Sequence, residues 1–305
     1  NLDIAAGAEL GVIETQTTVR QLTINSSFSM ASATLSGALP PPGGPSPALL
    51  SLQLPPGSTT TLSGTNLFRR GSLTNAGTLV FNGGSGVRLD FDLDGQFVNS
   101  AGATTTVLGD YVFGYTTSGA INNQGTWINQ GPGLVRIERS GASGGQFFST
   151  GLFEIRNATF KLLNPPAGFS AGFNSSIRLR DGIFDAGVVE LAIGAGKFFN
   201  GSGTVIGPFR SSGLLDLEDS SGGPFGVLNV QGNAQFNQGE IVLDANGVGA
   251  AQHDRISVSG SIQWQRVSPR VRLLNGYAPG IDSSIPIATH ASRVSPNLPV
   301  HERVL

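Results

Sequence analysis

A short phrase recurs along this chain, and its clearest copy is Leu73-Thr74-Asn75-Ala76-Gly77-Thr78-Leu79. Asn99 follows Asn75 after 24 positions in a similar phrase, and Asn123 follows after 24 more. Glycine supplies the positive φ that a tight corner needs, and asparagine is favoured in turns. The phrase therefore marks a turn that returns at a constant interval, which is typical of solenoid proteins.

Looser copies of the phrase continue at intervals of about 25 residues, as expected for a coil repeat. They are Phe147-Phe148-Ser149-Thr150-Gly151, Phe173-Asn174-Ser175, Phe199-Asn200-Gly201 and, upstream, Ile24-Asn25-Ser26. The copy at Phe236 breaks the spacing, so we expect an insertion or a change of coil shape between Gly207 and Gly226. Side-chain amides stacked on successive coils can hydrogen-bond along the axis. This pattern predicts a turn ladder of Asn75, Asn99, Asn123, Asn174 and Asn200.

Short segments with alternating apolar and polar residues lie between these turns. In the clearest one, Val87, Leu89 and Phe91 alternate with Arg88, Asp90 and Asp92. The same alternation recurs at 135–138, 153–156, 177–180 and 270–273. A period of two indicates strands with one buried face and one solvated face.

Short strands that repeat every 24–26 residues or so predict an all-β fold, a right-handed parallel β-helix, with residues 1–305 as a single β-solenoid. A β-sandwich also contains many short strands, but it does not explain a constant period. Two proline-rich segments interrupt the pattern, because proline cannot donate to a strand ladder. We expect residues 39–57 to form a loop or strap, 226–287 the terminal coils, and 288–305 an extended C-terminal arm.

The composition argues against several classes of function. A formal net charge of -2 provides no basic surface for nucleic acid. The absence of cysteine removes disulfides and thiolate metal sites. The sequence contains no apolar run of about 18 residues, the length that would predict a transmembrane helix. Asn1 begins no signal peptide, so the chain reads as mature or trimmed.

The later part of the chain resembles the β-helical stalks and passenger regions of large bacterial surface proteins, of the haemagglutinin-like and autotransporter type. The segments that carry this resemblance are 226–236, 239–244, 253–260 and 273–279, in which an aspartate-led strand ending in glycine precedes a strand ending in Gly276-Tyr277-Ala278-Pro279. The resemblance implies secretion, a β-helix, and a scaffold or adhesive role. The chain departs from the family pattern in having no barrel or anchoring segment.

Candidate catalytic groups are few. Clustered carboxylates on one strand face bind calcium or act as acid and base in some β-helical lyases and glycosidases, which draws attention to two sets. These sets are Asp90, Asp92, Asp94 and Asp216, Glu218, Asp219. Both also fit the ordinary solvated side of a strand. The single histidines His253, His290 and His301 lack metal-binding spacing, and His253 is expected at the surface.

These patterns together predict a structural or adhesive bacterial surface protein that is not an enzyme and needs no cofactor or metal. Head-to-tail self-association through the solenoid ends and the proline-rich arms is expected, because terminal coils expose unpaired backbone groups. Surface glycans are a further expected partner. Two alternatives stay open: a carbohydrate-active β-helix centred on Asp90 to Asp94, and a binding module that uses Trp127 and Trp264 as exposed stacking platforms. Both tryptophans are also compatible with buried positions in the core, which argues against their use as binding platforms.

Overall fold

The computed structural model describes residues 2–4, 9–11, 20–23, 28–31, 34–36, 50–92, 95–115, 119–139, 146–163, 173–217, 225–281 and 283–294. These residues form strands and turns and no helix, and the strands stack in parallel, so the predicted all-β parallel β-solenoid is confirmed. Contacts divide the chain into two compact units. The first is Asn1–Glu154 with Ala158–Phe173, and the second is Ile155–Asn157 with Asn174–Leu305.

The first unit is built from short strands that return to the same three positions in every coil. In chain order they are β1 (Leu2–Ile4), β2 (Glu9–Gly11), β3 (Arg20–Thr23), β4 (Phe28–Ala31), β5 (Thr34–Ser36), β6 (Leu50–Leu54), β7 (Thr59–Ser63), β8 (Asn66–Arg69), β9 (Gly71–Asn75), β10 (Thr78–Asn82), β11 (Arg88–Asp92), β12 (Gln96–Asn99), β13 (Thr104–Leu108), β14 (Tyr111–Tyr115), β15 (Ala120–Asn123), β16 (Thr126–Gln130), β17 (Leu134–Arg139), β18 (Gln146–Ser149), β19 (Leu152–Arg156) and β20 (Thr159–Leu163). Of β19, residues 152–154 belong to this unit.

Parallel pairing sorts these strands into three stacks. Stack I contains β3, β6, β9, β12, β15 and β18. Stack II contains β1, β4, β7, β10, β13 and β16. Stack III contains β2, β5, β8, β11, β14, β17 and β20. One strand from each stack makes one coil, and these parallel ladders exclude the sandwich alternative.

The interior of the first unit is filled by the inward residues of each strand. Burial alternates along β9 and β10, as the sequence pattern predicts. Aromatic rings from successive coils meet in the centre, where Trp127 is fully buried. Its ring lies 5.0 Å from the ring of Phe113 and 5.9 Å from the ring of Phe153. This core is continuous from coil to coil, as a solenoid requires.

Part of the predicted proline-rich loop belongs to the solenoid. Leu50–Leu54 forms β6, which pairs with β3 on one side and β9 on the other. This stretch contains no proline and alternates leucine with polar residues, so it suits a strand. Pro55 and Pro56 follow in the turn. Residues 39–49 lie outside the described residues.

The second unit uses longer strands that turn a corner without a break. Its strands are β21 (Ser176–Asp185), β22 (Leu191–Ile193), β23 (Phe198–Ile206), β24 (Phe209–Ser211), β25 (Leu214–Asp216), β26 (Val227–Gln231), β27 (Ala234–Asn237), β28 (Glu240–Ala245), β29 (Arg255–Gln265), β30 (Ser268–Leu273) and β31 (Ala288–Val294). The register between β21 and β23 shifts between Arg180 and Gly182, where the strand bends.

These strands again pair in parallel. One stack runs β21, β23, β25, β28, β30. A second continues from the later half of β23 through β26 and β29 to β31. A third contains β22, β24, β27 and the later halves of β29 and β31. Three-strand coils therefore build this unit as well.

Two sequence expectations change here. The phrase at Phe236 is not a delayed copy of the phrase at Phe199, because Phe236 pairs with Ser211 and Trp264 whereas Phe199 pairs with Leu215 in another stack. The same sequence phrase therefore occurs at different turns of the coil. The expected C-terminal arm begins as a strand, since Ala288–Val294 pairs in parallel with β29 as β31. Residues 295–305 lie outside the described residues.

Candidate functional site

A row of buried asparagines links the coils of the first unit. Asn75 Nδ2 donates to Asn99 Oδ1 at 2.9 Å, and Asn99 Nδ2 donates to Asn123 Oδ1 at 2.8 Å. Asn123 Nδ2 then donates to the hydroxyl of Ser149 at 3.0 Å. These side chains end the strands of stack I and have no exposed surface. We call these four residues the amide row.

Asn75 and Asn99 each have a second hydrogen-bond partner in stack II. Asn75 Nδ2 also donates to the carbonyl oxygen of Thr104, and Asn99 Nδ2 to that of Thr126, both at 3.0 Å. The Thr105 hydroxyl donates to Asn99 Oδ1 at 2.9 Å. A buried amide that lacks partners is costly, and here donors and acceptors are matched. The row therefore fixes the register of one coil on the next.

Two residues of the predicted ladder lie outside the amide row. Asn174 belongs to the second unit, and its side chain is exposed. Asn200 is half-buried within β23, where it pairs with Arg178 and donates to the carbonyl oxygen of Asp216. Neither stands at a buried strand end, which is the position that stacks the amides of Asn75, Asn99 and Asn123. The position after Asn123 is taken by Ser149.

Asp90 of β11 is bound by an arginine on the same strand. Arg88 donates two hydrogen bonds to Asp90, from Nε to Oδ2 at 2.7 Å and from Nη2 to Oδ1 at 2.6 Å. Gly114 lies opposite Asp90 on β14, and a Cβ there would fall 2.1 Å from Asp90 Oδ1. Glycine thus leaves room for the ion pair. The side chain of Asp92 and all of Asp94 lie outside the described residues.

A second carboxylate continues this line on stack III. Gly114 is in register with Glu138, so Asp90 and Glu138 stand two coils apart on one outward line. Arg136 lies 3.4 Å from Glu138 in an ion pair like that of Arg88 and Asp90. Stacked coils are separated by about 4.8 Å, which puts the two strand positions about 10 Å apart. Both carboxylates are thereby neutralised locally.

The two tryptophans occupy interior positions. Trp127 is fully buried, and its Nε1 donates to Asn129 Oδ1 at 3.0 Å, so the suggestion that it is an exposed stacking platform is wrong. Trp264 is half-buried and stacks on Phe236, with ring centroids 4.8 Å apart and an interplanar angle of 22°. One face of the Trp264 ring is thus occupied by the core.

A charged cluster in the second unit was not expected from the sequence as a connected set. Arg272 donates to both carboxylate oxygens of Asp244, with Nη2 to Oδ2 at 2.9 Å, and also to Asp216 Oδ1 at 3.1 Å. These residues come from β30, β28 and β25. Asp244 is almost fully buried, so the guanidinium is its compensating charge. The hydrogen bond from Arg272 to Asp244 also raises the pKa of Arg272.

Asp254 lies beside this cluster and is fully buried. Its two carboxylate oxygens accept backbone amides from different coils, Gly226 N at 2.6 Å and Asp244 N at 2.7 Å. Desolvation raises the pKa of Asp254 to about 7, although the two amides act in the opposite direction and the nearby Asp244 and Asp216 add to the rise. Because each oxygen takes an amide from a different part of the chain, the side chain acts as a staple between coils.

The expected surface histidine at position 253 is also buried. His253 is 1% exposed, and its Nε2 lies 3.3 Å from the carbonyl oxygen of Pro286. It forms an antiparallel bridge with Ala245 in the turn that follows β28, which draws its ring inward. The expectation of exposure is therefore wrong for His253, whereas His290 is exposed. His301, Glu218 and Asp219 lie outside the described residues.

Replacing Arg272 with methionine is expected to lower the free energy of unfolding by about 2 kcal/mol at neutral pH. The change leaves the buried Asp244 without its cation, and the usual cost of breaking a buried pair is reduced here because Arg272 is partly solvated. Chemical denaturation of the full chain measures the loss. Arg270→Met is the matched control on the same strand, since Arg270 is 65% exposed and 3.5 Å from Glu240. Equal effects of the two substitutions would contradict the assignment.

The described residues contain no group of three or more histidine, aspartate or glutamate side chains that could hold a metal ion. Within the same part of the chain, no helix is long and apolar enough to cross a membrane. No model of a known protein family and no curated protein matches the chain.

Proposed function

We propose that this chain is part of an extracellular structural and adhesive β-solenoid of a bacterial surface or fibre, and that it is not an enzyme. The observation that carries the proposal is the amide row, which joins Asn75, Asn99, Asn123 and Ser149 across successive coils. A buried polar network whose members are all satisfied makes a structure rigid and specifies one register. Rigidity along an axis is the property that a stalk or fibre needs.

The outer surface supports the same role. Two pairs of charged residues lie along strands of stack III, Arg88 with Asp90 and Arg136 with Glu138. Surface charges that are paired with opposite charges keep the outer face polar without creating a strong field of one sign. The resemblance of residues 226–279 to bacterial surface stalks agrees with an exported scaffold. Adhesion to surface glycans is part of the proposal.

Self-association is the proposed way to extend the scaffold. Among the described strands, β30 pairs only with β28, and β31 pairs only with β29. A strand with one neighbour presents free amide and carbonyl groups on its other side, which another strand can pair with. A second copy that adds there would make a head-to-tail contact, and such contacts build open filaments.

Electron microscopy of the purified full chain over a range of concentrations tests this function. We expect filaments whose length grows with protein concentration, and binding of the chain to bacterial or host surface glycans on an array. Monodisperse particles at high concentration, together with no glycan binding, would contradict the proposal.

A carbohydrate-active β-helix is the second candidate, and the line that carries Asp90 and Glu138 is the observation that favours it. A separation of about 10 Å is close to the spacing of two carboxyl groups in inverting glycosidases. Cleavage of an acidic polysaccharide by the purified chain, lost in Asp90→Asn, would establish this function in place of the scaffold. Absence of cleavage alongside filament formation would support the scaffold.

A further inference from the structure

We propose that Asp254 and the charged groups around it form a pH-responsive lock, which holds the coils of the second unit closed in mildly acidic solution and loosens them as the pH approaches neutrality. The lock is a property of the folded coils and does not depend on the scaffold role. Its failure in an experiment would therefore be distinct from a failure of adhesion or of filament formation.

The lock is built where the chain returns from one coil to the next. Asp254 Oδ1 accepts the amide of Gly226, which lies 28 residues earlier and directly precedes β26. Asp254 Oδ2 accepts the amide of Asp244, 10 residues earlier, near the end of β28. The backbone amide of Asp254 also donates to the carbonyl oxygen of Asp244 at 2.8 Å. The side chain of Asp254 thus makes two of these hydrogen bonds, and its backbone amide makes the third.

The charges that face Asp254 do not balance it. From β28 it faces Asp244, from β25 Asp216, and from β30 Arg272. The guanidinium of Arg272 is already shared between Asp244 and Asp216. No described cation hydrogen-bonds to Asp254 itself.

The sequence neighbours of Asp254 do not supply the missing charge either. His253 contacts the carbonyl oxygen of Pro286, and its Nδ1 has no hydrogen-bond partner. Arg255 begins β29 in register with Val227, and its Nε has no partner. Ionisation of Asp254 would therefore add a third carboxylate to a cluster that holds one compensating cation, in a position with no contact to water.

The direction of the pH response follows from proton binding. Burial raises the pKa of Asp254 to about 7 in the folded chain, whereas an aspartate in an unfolded chain titrates near 3.9 or so. Between these values the folded state binds one more proton than the unfolded state, so stability falls as the pH rises. The contribution of Asp254 to the free energy of unfolding is fully present below about pH 4 and is lost as the pH rises through about 7.

Amide hydrogen exchange of the full chain, followed by mass spectrometry and divided by the intrinsic exchange rate at each pH, tests the lock. The informative peptides contain the amides of Gly226 and Asp244. We expect the opening equilibrium of these amides to rise by up to about tenfold per pH unit between about pH 5 and 7, and to level off above about 8. If the ratio of observed to intrinsic exchange rate for these amides stayed constant across this pH range, the proposal would be overturned.

Two variants separate Asp254 from other titrating groups. Asp254→Asn removes the ionisable group, and the pH dependence of the two amides should disappear. Asp110→Asn is the matched control, because Asp110 also accepts a backbone amide, from Leu134 at 2.7 Å, but is exposed. Its pH profile at Gly226 and Asp244 should match that of the unmodified chain. An unchanged slope in Asp254→Asn would overturn the proposal.

Infrared spectroscopy keeps the proposal falsifiable if Asp254→Asn does not fold. A carboxyl that stays protonated near pH 5.5 gives a band distinct from that of ionised carboxylates, and aspartate and glutamate in model peptides are largely ionised at that pH. We expect one such band in the unmodified chain and in Asp110→Asn, and its loss by about pH 8. A spectrum without this band near pH 5.5 would overturn the lock.

Discussion

Replacing Asn99 with alanine is expected to lower the free energy of unfolding by about 3 to 5 kcal/mol, because it removes the centre of the amide row. The substitution takes the acceptor from Asn75 Nδ2 and the donor from Asn123 Oδ1. It also leaves the carbonyl oxygen of Thr126 without its side-chain donor. Each buried polar atom left unpaired costs about 1 to 3 kcal/mol, and the loss is only partly relieved where water can enter.

Asn122→Ala is the matched control for this substitution. Asn122 stands on β15 beside Asn123 but faces outward and is half-buried. Its loss should change the free energy of unfolding by no more than about 0.5 kcal/mol, as for most surface substitutions. Chemical denaturation of both variants gives the comparison. Similar losses for Asn99→Ala and Asn122→Ala would mean that the amide row does not stabilise the coils.

Replacing Phe147 with alanine is expected to cost about 3 to 5 kcal/mol, the usual range for truncating a buried phenylalanine. Phe147 is 2% exposed and packs among the rings of Trp127, Phe153, Phe160 and Phe173. Its ring centroid lies 6.0 Å from that of Phe173 and 6.2 Å from that of Phe160. The cavity left by the substitution would sit among aromatic rings that have little freedom to close it.

The adjacent residue provides the control for Phe147, because Phe148 lies on the same strand and is 38% exposed. Phe148→Ala removes the same atoms from the outer face, and we expect a loss below about 1 kcal/mol. Thermal and chemical unfolding of the two variants measure the difference. A larger loss for Phe148→Ala would reverse the assignment of the inner and outer faces of β18.

The fold was predictable because its two signals repeat in the sequence. Alternation at Leu89 and Phe91 identified the buried face of β11, and both residues are fully buried. The interval between Asn75 and Asn99 identified one coil, because the same turn must recur wherever strands stack in register. These signals are local or periodic, so a single sequence is sufficient to read them.

The site was less predictable, because a coil has three corners and one phrase can serve any of them. Asn174 and Asn200 carry the same phrase as Asn75, yet they lie outside the amide row. The staple at Asp254 depends on Gly226 and Asp244, whose proximity arises only after the coils stack. A His-Asp pair after a glycine-rich turn is too common a pattern to identify such a contact from sequence.

The length of a coil varies although the pairing of its strands does not. Hydrogen-bonded residues on successive coils are 21 positions apart at Ser51 and Ser72 and 26 apart at Asn123 and Ser149. In the second unit they are 16 apart at Asn200 and Asp216 and 28 apart at Gln235 and Gln263. The difference in length is taken up at the bends between strands, where it leaves the pairing of the strands intact. A lineage carrying such a chain can diversify what it presents to its surroundings one bend at a time, without having to evolve a new interior.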